Sequence, residues 1–228
     1  MKAPLPARET ERLRALAEYQ LLDTQFEKSY DDITALASYI CECPISMISL
    51  LDENRQWFKS RVGMEMRETP REVAFCAHAI VQPDQMMVVP DADLDARFAG
   101  SPLVAGDPHI RFYAGVPLNN PEGHSLGTLC VVDAKPRTLT AAQTQALQVL
   151  ARQVSALFEL RRTSLAMASA LERVKTLEAF LPICSSCKSI RDEQNKWHRV
   201  EDYLRGRADV QMTHSMCPTC AAAFYRTL

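Results

Sequence analysis

Two pairs of cysteines near the C-terminus place the strongest constraint on how this chain can fold. Cys184 and Cys187 lie in LPICSSCKSIRD, and Cys217 and Cys220 lie in HSMCPTCAAAFY. Each Cys-x-x-Cys turn directs two thiolates at one point, so two turns complete a closed tetrahedral Zn²⁺ site. A module as short and polar as residues 182–228 needs such a metal to hold its fold. We therefore predict structural zinc on all four cysteines.

Other roles for these thiols remain open. The two pairs can act as redox-active dithiols, or as a switch that releases its metal on oxidation. His214 can replace one cysteine as a ligand or donate to a thiolate. Iron suits the same thiolate set as zinc. A haem attachment site is excluded, because Lys188 and Ala221 stand where a histidine would follow each pair.

Composition limits the class of protein. The 228 residues are 47% hydrophobic with a net charge of −2, which suits one full domain and a smaller one. The first residues are charged, with no apolar stretch of the signal-peptide kind, and no apolar run approaches the length of a membrane span. We expect a cytoplasmic protein whose thiols stay reduced, with no nucleic acid or membrane as a partner.

The hydrophobic pattern predicts an α+β fold, with helices on the faces of an antiparallel sheet. Residues 91–106 are rich in turn formers and predict one short helix capped by an aspartate. From residue 140 a helical period continues for about forty residues without proline or glycine. The other predictions are helices at 7–22, 27–42 and 75–82, and strands at 44–52, 55–62, 86–90, 110–118 and 124–133.

The second half of the long helix carries a heptad pattern. Packing on its own sheet explains the first half, around Leu147, Leu150 and Val154, but not the part beyond Arg161. We predict a parallel coiled coil between two chains, with residues 163–181 as the linker of a homodimer. One seam position holds Leu157, Ser164, Leu171 and Glu178, and the other holds Leu160, Met167, Val174 and Leu181.

Residues 11–161 contain a series of short sequence motifs. YQLLDT, PISMISLLDENRQWFKSRVG, FCAHAI, PDADLDARFAG, IRFYAGVPL and LGTLCVVDAKPR occur in order without large gaps. They resemble the GAF domain family of small-molecule sensors in bacterial signalling proteins. The tail resembles a module at the ends of bacterial sensory proteins, typified by LPICS-x-CK-x-IRD and CP-x-C. These resemblances imply a GAF domain at 1–162, the linker helix, and a zinc module at 182–228.

The GAF resemblance implies a cavity between one sheet face and the short helices. Such a site is apolar with a few convergent polar groups, and its ligand is unknown. The alternative is that the same side chains simply fill the core. The expected lining residues are Trp57, Phe58, Phe75, Cys76, His78, Phe98, Phe112, Tyr113, Thr128 and Cys130.

The expected function is signal transduction. Ligand binding in the cavity would bias the helix pair and the tail, where an unidentified signalling protein binds. We expect no enzymatic activity and assign no catalytic residue. The alternatives are a redox switch through the tail cysteines, a scaffold with a filled cavity, and an enzyme of the methionine sulfoxide reductase type. That enzyme would draw on Cys41, Cys43, Cys76 and Cys130.

Overall fold

The computed structural model describes residues 2–178, 182–205 and 215–225. The chain divides into two compact units, Met1–Ala166 and Met167–Leu228. The first contains helices α1 (Glu9–Glu18), α2 (Lys28–Cys41), α3 (Phe75–Ala79) and α4 (Pro102–Ala105), strands β1 (Ile45–Leu51), β2 (Arg55–Val62), β3 (Glu68–Pro70), β4 (Met87–Val89), β5 (Phe112–Asn119) and β6 (Ser125–Asp133), and the first part of α5 (Ala141–Glu178).

The six strands form one antiparallel sheet in the order β3-β2-β1-β6-β5-β4. Every residue of the two central strands, β1 and β6, is buried. Burial on both sides means that both faces of the sheet are covered, so these strands lack the apolar–polar alternation of a half-exposed strand. The predicted α+β fold, with an antiparallel sheet and a long helix, is confirmed.

One sheet face packs against the three longer helices, α1, α2 and α5. The buried side of α5 repeats every three or four residues, as expected for a helix that lies on a core. Each large apolar side chain buried here contributes about 1.5–3 kcal/mol. The buried residues of this face include Leu16, Tyr30, Ile48, Leu50, Leu129, Val131, Leu147, Ala151, Val154 and Phe158.

The opposite face packs against α3, α4 and the irregular segment around them. The Ser101 hydroxyl accepts a hydrogen bond from the Leu103 N–H at 3.3 Å and so caps α4. Serine at the cap with Pro102 at the first helical position is a strong start signal. The prediction of an aspartate cap was therefore wrong.

Two elements of the first unit were absent from the sequence expectations: β3 and a 3₁₀ turn at Arg71–Val73. This turn lies beside Glu9, whose carboxylate accepts from Arg71 at 2.6 Å and from Arg12 at 2.7 and 2.8 Å. Burial alone would raise the pKa of Glu9, but the bonds and charges of the two arginines outweigh it and lower the pKa to about 2. This ion cluster ties α1 to the turn.

The second unit contains the rest of α5 and a small tail. The tail has strands β7 (Ile190–Arg191) and β8 (Trp197–His198), which pair as a hairpin, and helices α6 (Val200–Arg205) and α7 (Pro218–Tyr225). Trp197 lies in β8 and is 53% exposed. Within the described part of the chain, no helix is both long enough and apolar enough to cross a bilayer.

Candidate functional site

A polar cluster lies inside the apolar sheet face that α3 covers. The Tyr113 hydroxyl donates to Cys76 Sγ at 3.3 Å, and Cys76 Sγ lies 3.8 Å from Cys130 Sγ. Beside them the Ser49 and Thr128 hydroxyls hydrogen-bond at 3.1 Å. We call these five residues the Cys76 centre. All five are buried, and the relative exposure of each is 1% or less.

Strand alternation explains how the centre assembles. Thr128 and Cys130 are two residues apart on β6, so both face α3, and Ser49 of β1 lies directly opposite Thr128. Gly115 of β5 leaves the space that the Tyr113 phenol occupies. A Cβ at residue 115 would lie 2.1 Å from the Tyr113 hydroxyl oxygen, so only glycine lets this side chain lie where it reaches Cys76.

The surroundings distinguish the two thiols. Burial alone would raise the pKa of Cys76, but hydrogen bonds from Cys130, Ser49, Thr128 and Tyr113 favour the thiolate and lower the pKa below its usual value. The pKa of Cys130 rises well above its usual value, because its thiol is hydrogen-bonded to Cys76 and is buried. The hydrogen-bond donors around Cys76 therefore favour its thiolate more than that of Cys130.

A column of aromatic rings leads outward from the centre. The Tyr113 ring stacks on Phe75 with centroids 5.3 Å apart, and Phe75 stacks on Phe98 at 4.0 Å. His78 packs its edge against Phe98 at 4.8 Å. His78 also lines an outer hollow of about 210 Å³ together with Arg97. His78 therefore does not line the cavity that contains Cys76.

The cavity beside the Cys76 centre is small, about 20 Å³. One of its lining residues, Gln56, is only 4% exposed, and the Gln56 Oε1 atom has no hydrogen-bond partner. An orphan acceptor in a buried cavity points to a missing donor, because such groups are nearly always satisfied. The lining residues are Met47, Gln56, Phe58, Met64, Thr69, Ala74, Phe75, Cys76, Leu103, Ile110, Tyr113 and Val132.

Two residues expected to line this cavity lie on the other side of the sheet. Trp57 and Phe112 belong to the core beneath the long helices. Each is adjacent in sequence to a residue that does face the cavity, Phe58 or Tyr113, and neighbouring strand residues point to opposite faces. Assigning both members of each pair to one cavity was therefore wrong. Among the other expected residues, Cys130 and Phe98 belong to the cavity-side core, and Thr128 lies in the Cys76 centre.

The sequence expectations also missed several residues of the site. Gln56 and Thr69 face the cavity from paired positions on β2 and β3. The signal for Gln56 was present, because it lies two residues before Phe58 and so on the same face. Ser49 would have followed from pairing β1 with β6 in register. Thr69 lies in the strand that the sequence did not reveal.

A more voluminous hollow lies elsewhere. It is an open groove of about 780 Å³ at the C-terminal end of α2, lined by residues such as Tyr39, Glu42, Lys135 and Arg137. The Arg137 guanidinium is paired with Asp133. This groove is more open to solvent than the cavity beside Cys76, which is also lined by the unsatisfied Gln56 amide. We therefore take the smaller cavity as the site.

The cysteines of the tail form two local pairs. Lys188 N–H donates to the Cys184 carbonyl at 3.0 Å and closes the first turn, and the Cys187 thiol contacts the Ser189 hydroxyl at 3.2 Å. Hydrogen bonds, chiefly from Ser189, lower the pKa of Cys187 to about 7. In the second pair, the Cys220 N–H donates to Cys217 Sγ at 3.5 Å and lowers its pKa. Both turns therefore favour thiolates, the form that binds metal.

The structure does not gather these half-sites into one metal site. Among residues 2–178, 182–205 and 215–225, no three His, Cys, Asp or Glu side chains are placed to share an ion. The donor chemistry of four cysteines suits a soft metal such as zinc. His214 and Leu181 lie outside the described residues. His198 bonds Asp192 at 2.5 Å.

Comparison with known proteins identifies the first unit. The GAF domain model matches residues 25–158, more than half of the chain, so the chain belongs to the GAF domain family. Two solved structures share the fold: the GAF domain of an Acinetobacter phosphoenolpyruvate-protein phosphotransferase and the blue-light absorbing form of the Thermosynechococcus elongatus PixJ GAF domain. The first has a TM-score of 0.51 at 18% identity over 70% of this chain and 97% of the other. The second has 0.52 at 14% identity, over 73% and 98%.

A curated relative is closer in sequence. A cyclic di-GMP phosphodiesterase of Pseudomonas aeruginosa is 43% identical over 134 residues, which are 59% of this chain. This chain spans only 23% of that enzyme's length. The match to the GAF model ends before the tail, so the resemblance of the tail to a bacterial sensory module remains a prediction.

Proposed function

We propose that this protein is a sensor whose GAF cavity binds a small molecule and whose long helix passes the signal on. The observation that carries this proposal is the buried Gln56 amide, which lines a mostly apolar cavity and has an oxygen without a hydrogen-bond partner. A site with apolar walls and a single unsatisfied acceptor is suited to a small ligand that donates one hydrogen bond.

Any ligand larger than water must enlarge the cavity. About 20 Å³ accommodates roughly one water-sized molecule. The walls that can move are Met64 and Leu103, since both are only half-buried. Binding would then displace the segment around α4, and this difference between the free and bound states is what a signalling domain needs.

The sheet links the cavity to α5. Along β6, Cys130 faces the Cys76 centre, while its neighbours Leu129 and Val131 face the core that α5 completes. Because the core is densely packed, a displacement of β6 on the cavity side also displaces the side chains that pack against α5. The proposed route from ligand to long helix therefore passes through the central strands.

We propose that α5 carries the signal as part of a homodimer. Leu160, Met167 and Leu171 are 63%, 72% and 56% exposed. Their spacing of seven and four residues fits the seam positions of a coiled coil. A second copy of this chain would cover these side chains, and a helix pair can transmit a small rotation or shift. The partner that receives the signal would bind the tail.

The four tail cysteines are proposed as ligands of one structural zinc ion. Their support is the donor set: two Cys-x-x-Cys turns in which hydrogen bonds favour thiolates. Cys184, Cys187, Cys217 and Cys220 would hold the ion, which would supply folding energy to the tail rather than catalysis.

Hydrolysis of cyclic di-GMP is not assigned to this chain. The relative with that name is matched over less than a quarter of its length. Incubating the protein with cyclic di-GMP and Mg²⁺ is expected to give no hydrolysis.

Native mass spectrometry of the freshly purified chain tests the sensor proposal. We expect a bound small molecule that dissociates on denaturation and is lost in Gln56→Leu. Gln82→Leu, at an exposed position, is the matched control and should retain it. The proposal fails if the protein carries no extra mass and the small-molecule fraction of a bacterial lysate leaves its Tm unchanged. A ligand held equally by both variants would place the site elsewhere.

A further inference from the structure

The contact between Cys76 and Cys130 has a chemical consequence of its own. Their sulfur atoms are 3.8 Å apart although the residues are 54 positions apart in sequence. A disulfide bond is about 2.05 Å long, so the two sulfurs must close by roughly 1.8 Å to form one. One thiol is on the short helix α3 and the other on the central strand β6, so this bond would join the cavity wall to the sheet.

Two other buried cysteines, Cys41 and Cys43, have a different environment. Cys41 and Cys43 lie at the end of α2, and burial raises their pKa to about 11 and about 12. Such thiols are inert, because the thiolate is the nucleophile. At Cys76 the Tyr113 hydroxyl and the other donors stabilise the sulfur in its anionic form. The contrast singles out Cys76 as the reactive sulfur of this domain.

The cavity gives a small oxidant a place beside Cys76. Its volume of about 20 Å³ accommodates a molecule little larger than water. The unpaired Gln56 Oε1 accepts a hydrogen bond from an O–H group, which hydrogen peroxide supplies. Met64 and Leu103, both half-buried, separate the cavity from solvent and can open it by side-chain rotation.

We propose that Cys76 and Cys130 form a redox pair that a peroxide converts to a disulfide. The Cys76 thiolate attacks one peroxide oxygen; a sulfur–oxygen bond forms, the oxygen–oxygen bond breaks, and the departing hydroxide takes a proton to become water. The Cys130 thiol then loses its proton and attacks Cys76 sulfur. A sulfur–sulfur bond forms, and the hydroxyl leaves with that proton as a second water. Two thiols are oxidised and one peroxide is reduced.

The role of this disulfide as an input to signalling rests on the proposed sensor function; its formation does not. The two proposals therefore fail separately. If the chain forms the disulfide but binds no small molecule, the redox proposal stands and the sensor proposal is refuted. If the chain binds a ligand through Gln56 but never links Cys76 to Cys130, the sensor proposal stands and the redox proposal is refuted.

Peptide mapping of the full chain tests the inference. The protein is titrated with hydrogen peroxide, denatured in an alkylating reagent, digested, and analysed by mass spectrometry. We expect linked Cys76 and Cys130 peptides at doses that leave Cys41 and Cys43 alkylated. In Cys130→Ser, Cys76 should instead be trapped by dimedone as a sulfenic acid.

Tyr113→Phe tests the donor while keeping the ring stack. Loss of one hydrogen bond to the sulfur should slow disulfide formation about fivefold. An unchanged rate would remove Tyr113 from the mechanism. If peroxide oxidises the exposed Cys187 while Cys76 and Cys130 stay as reduced as Cys41 and Cys43, the redox pair is refuted.

Discussion

Replacement of Gly115 by alanine probes the packing that holds the Cys76 centre together. The added Cβ would lie 2.1 Å from the Tyr113 hydroxyl oxygen and 2.6 Å from Cζ. Tyr113 is 1% exposed, so its ring has no free space to retreat into. Overpacking of this kind costs about 1–3 kcal/mol. The hydroxyl would also lose its bond to Cys76, which adds about 1 kcal/mol.

The expected total for Gly115→Ala is about 3 kcal/mol, which lowers Tm by roughly 6–12 °C in a chain of this size. Differential scanning calorimetry measures the change. Gly100→Ala is the matched control, because a Cβ there meets nothing within 4 Å, and its Tm should move by less than about 2 °C. If the two variants melt together, Tyr113 does not lie over residue 115 and the described centre is wrong.

Three further predictions follow from the ion cluster, the long helix and the tail. Glu9→Gln should lower the free energy of unfolding by about 2 kcal/mol at pH 7, less than the full pKa shift implies because the carboxylate is partly exposed. Because the folded-state pKa of Glu9 is lowered, this stabilisation is present above about pH 4.5 and is lost as the pH falls toward 2. Urea unfolding should therefore show a smaller difference in the free energy of unfolding between wild type and variant at pH 3 than at pH 7. An equal difference at both pH values would contradict the prediction. Met167→Lys should convert a dimer to a monomer in sedimentation equilibrium, while Ser169→Lys on the outer heptad position should not; equal masses would refute the seam. Metal analysis should find one zinc per chain, and a chelator under reducing conditions should abolish the dispersed amide signals of the tail but not those of the GAF domain.

The strands of the GAF domain were readable from sequence because their apolar runs are bounded by clear turns. Asp52 to Asn54 and the segment around Gly123 separate two hairpins that the structure confirms. β3 was not predicted, because Glu68-Thr69-Pro70 is short, has no apolar alternation, and contains Glu and Pro, which are depleted in strands.

The site was only partly readable for a different reason. Aromatic residues were assigned to the cavity by type, and Trp57 and Phe112 therefore joined neighbours that face the other way. Consistent use of the two-residue period would have exchanged Trp57 for Gln56. The contact between Cys76 and Cys130 depends on how α3 lies on β6, and no local pattern encodes that distance of 3.8 Å.

A crystal structure of the full chain, purified rapidly from cells without dialysis, tests the sensor site most directly. Electron density for a small molecule should fill an enlarged cavity beside Cys76, with a donor atom within hydrogen-bond distance of Gln56 Oε1. A cavity closed by repacked side chains, with the Gln56 amide bonded to the protein itself, would contradict the proposal that this face of the sheet receives a ligand.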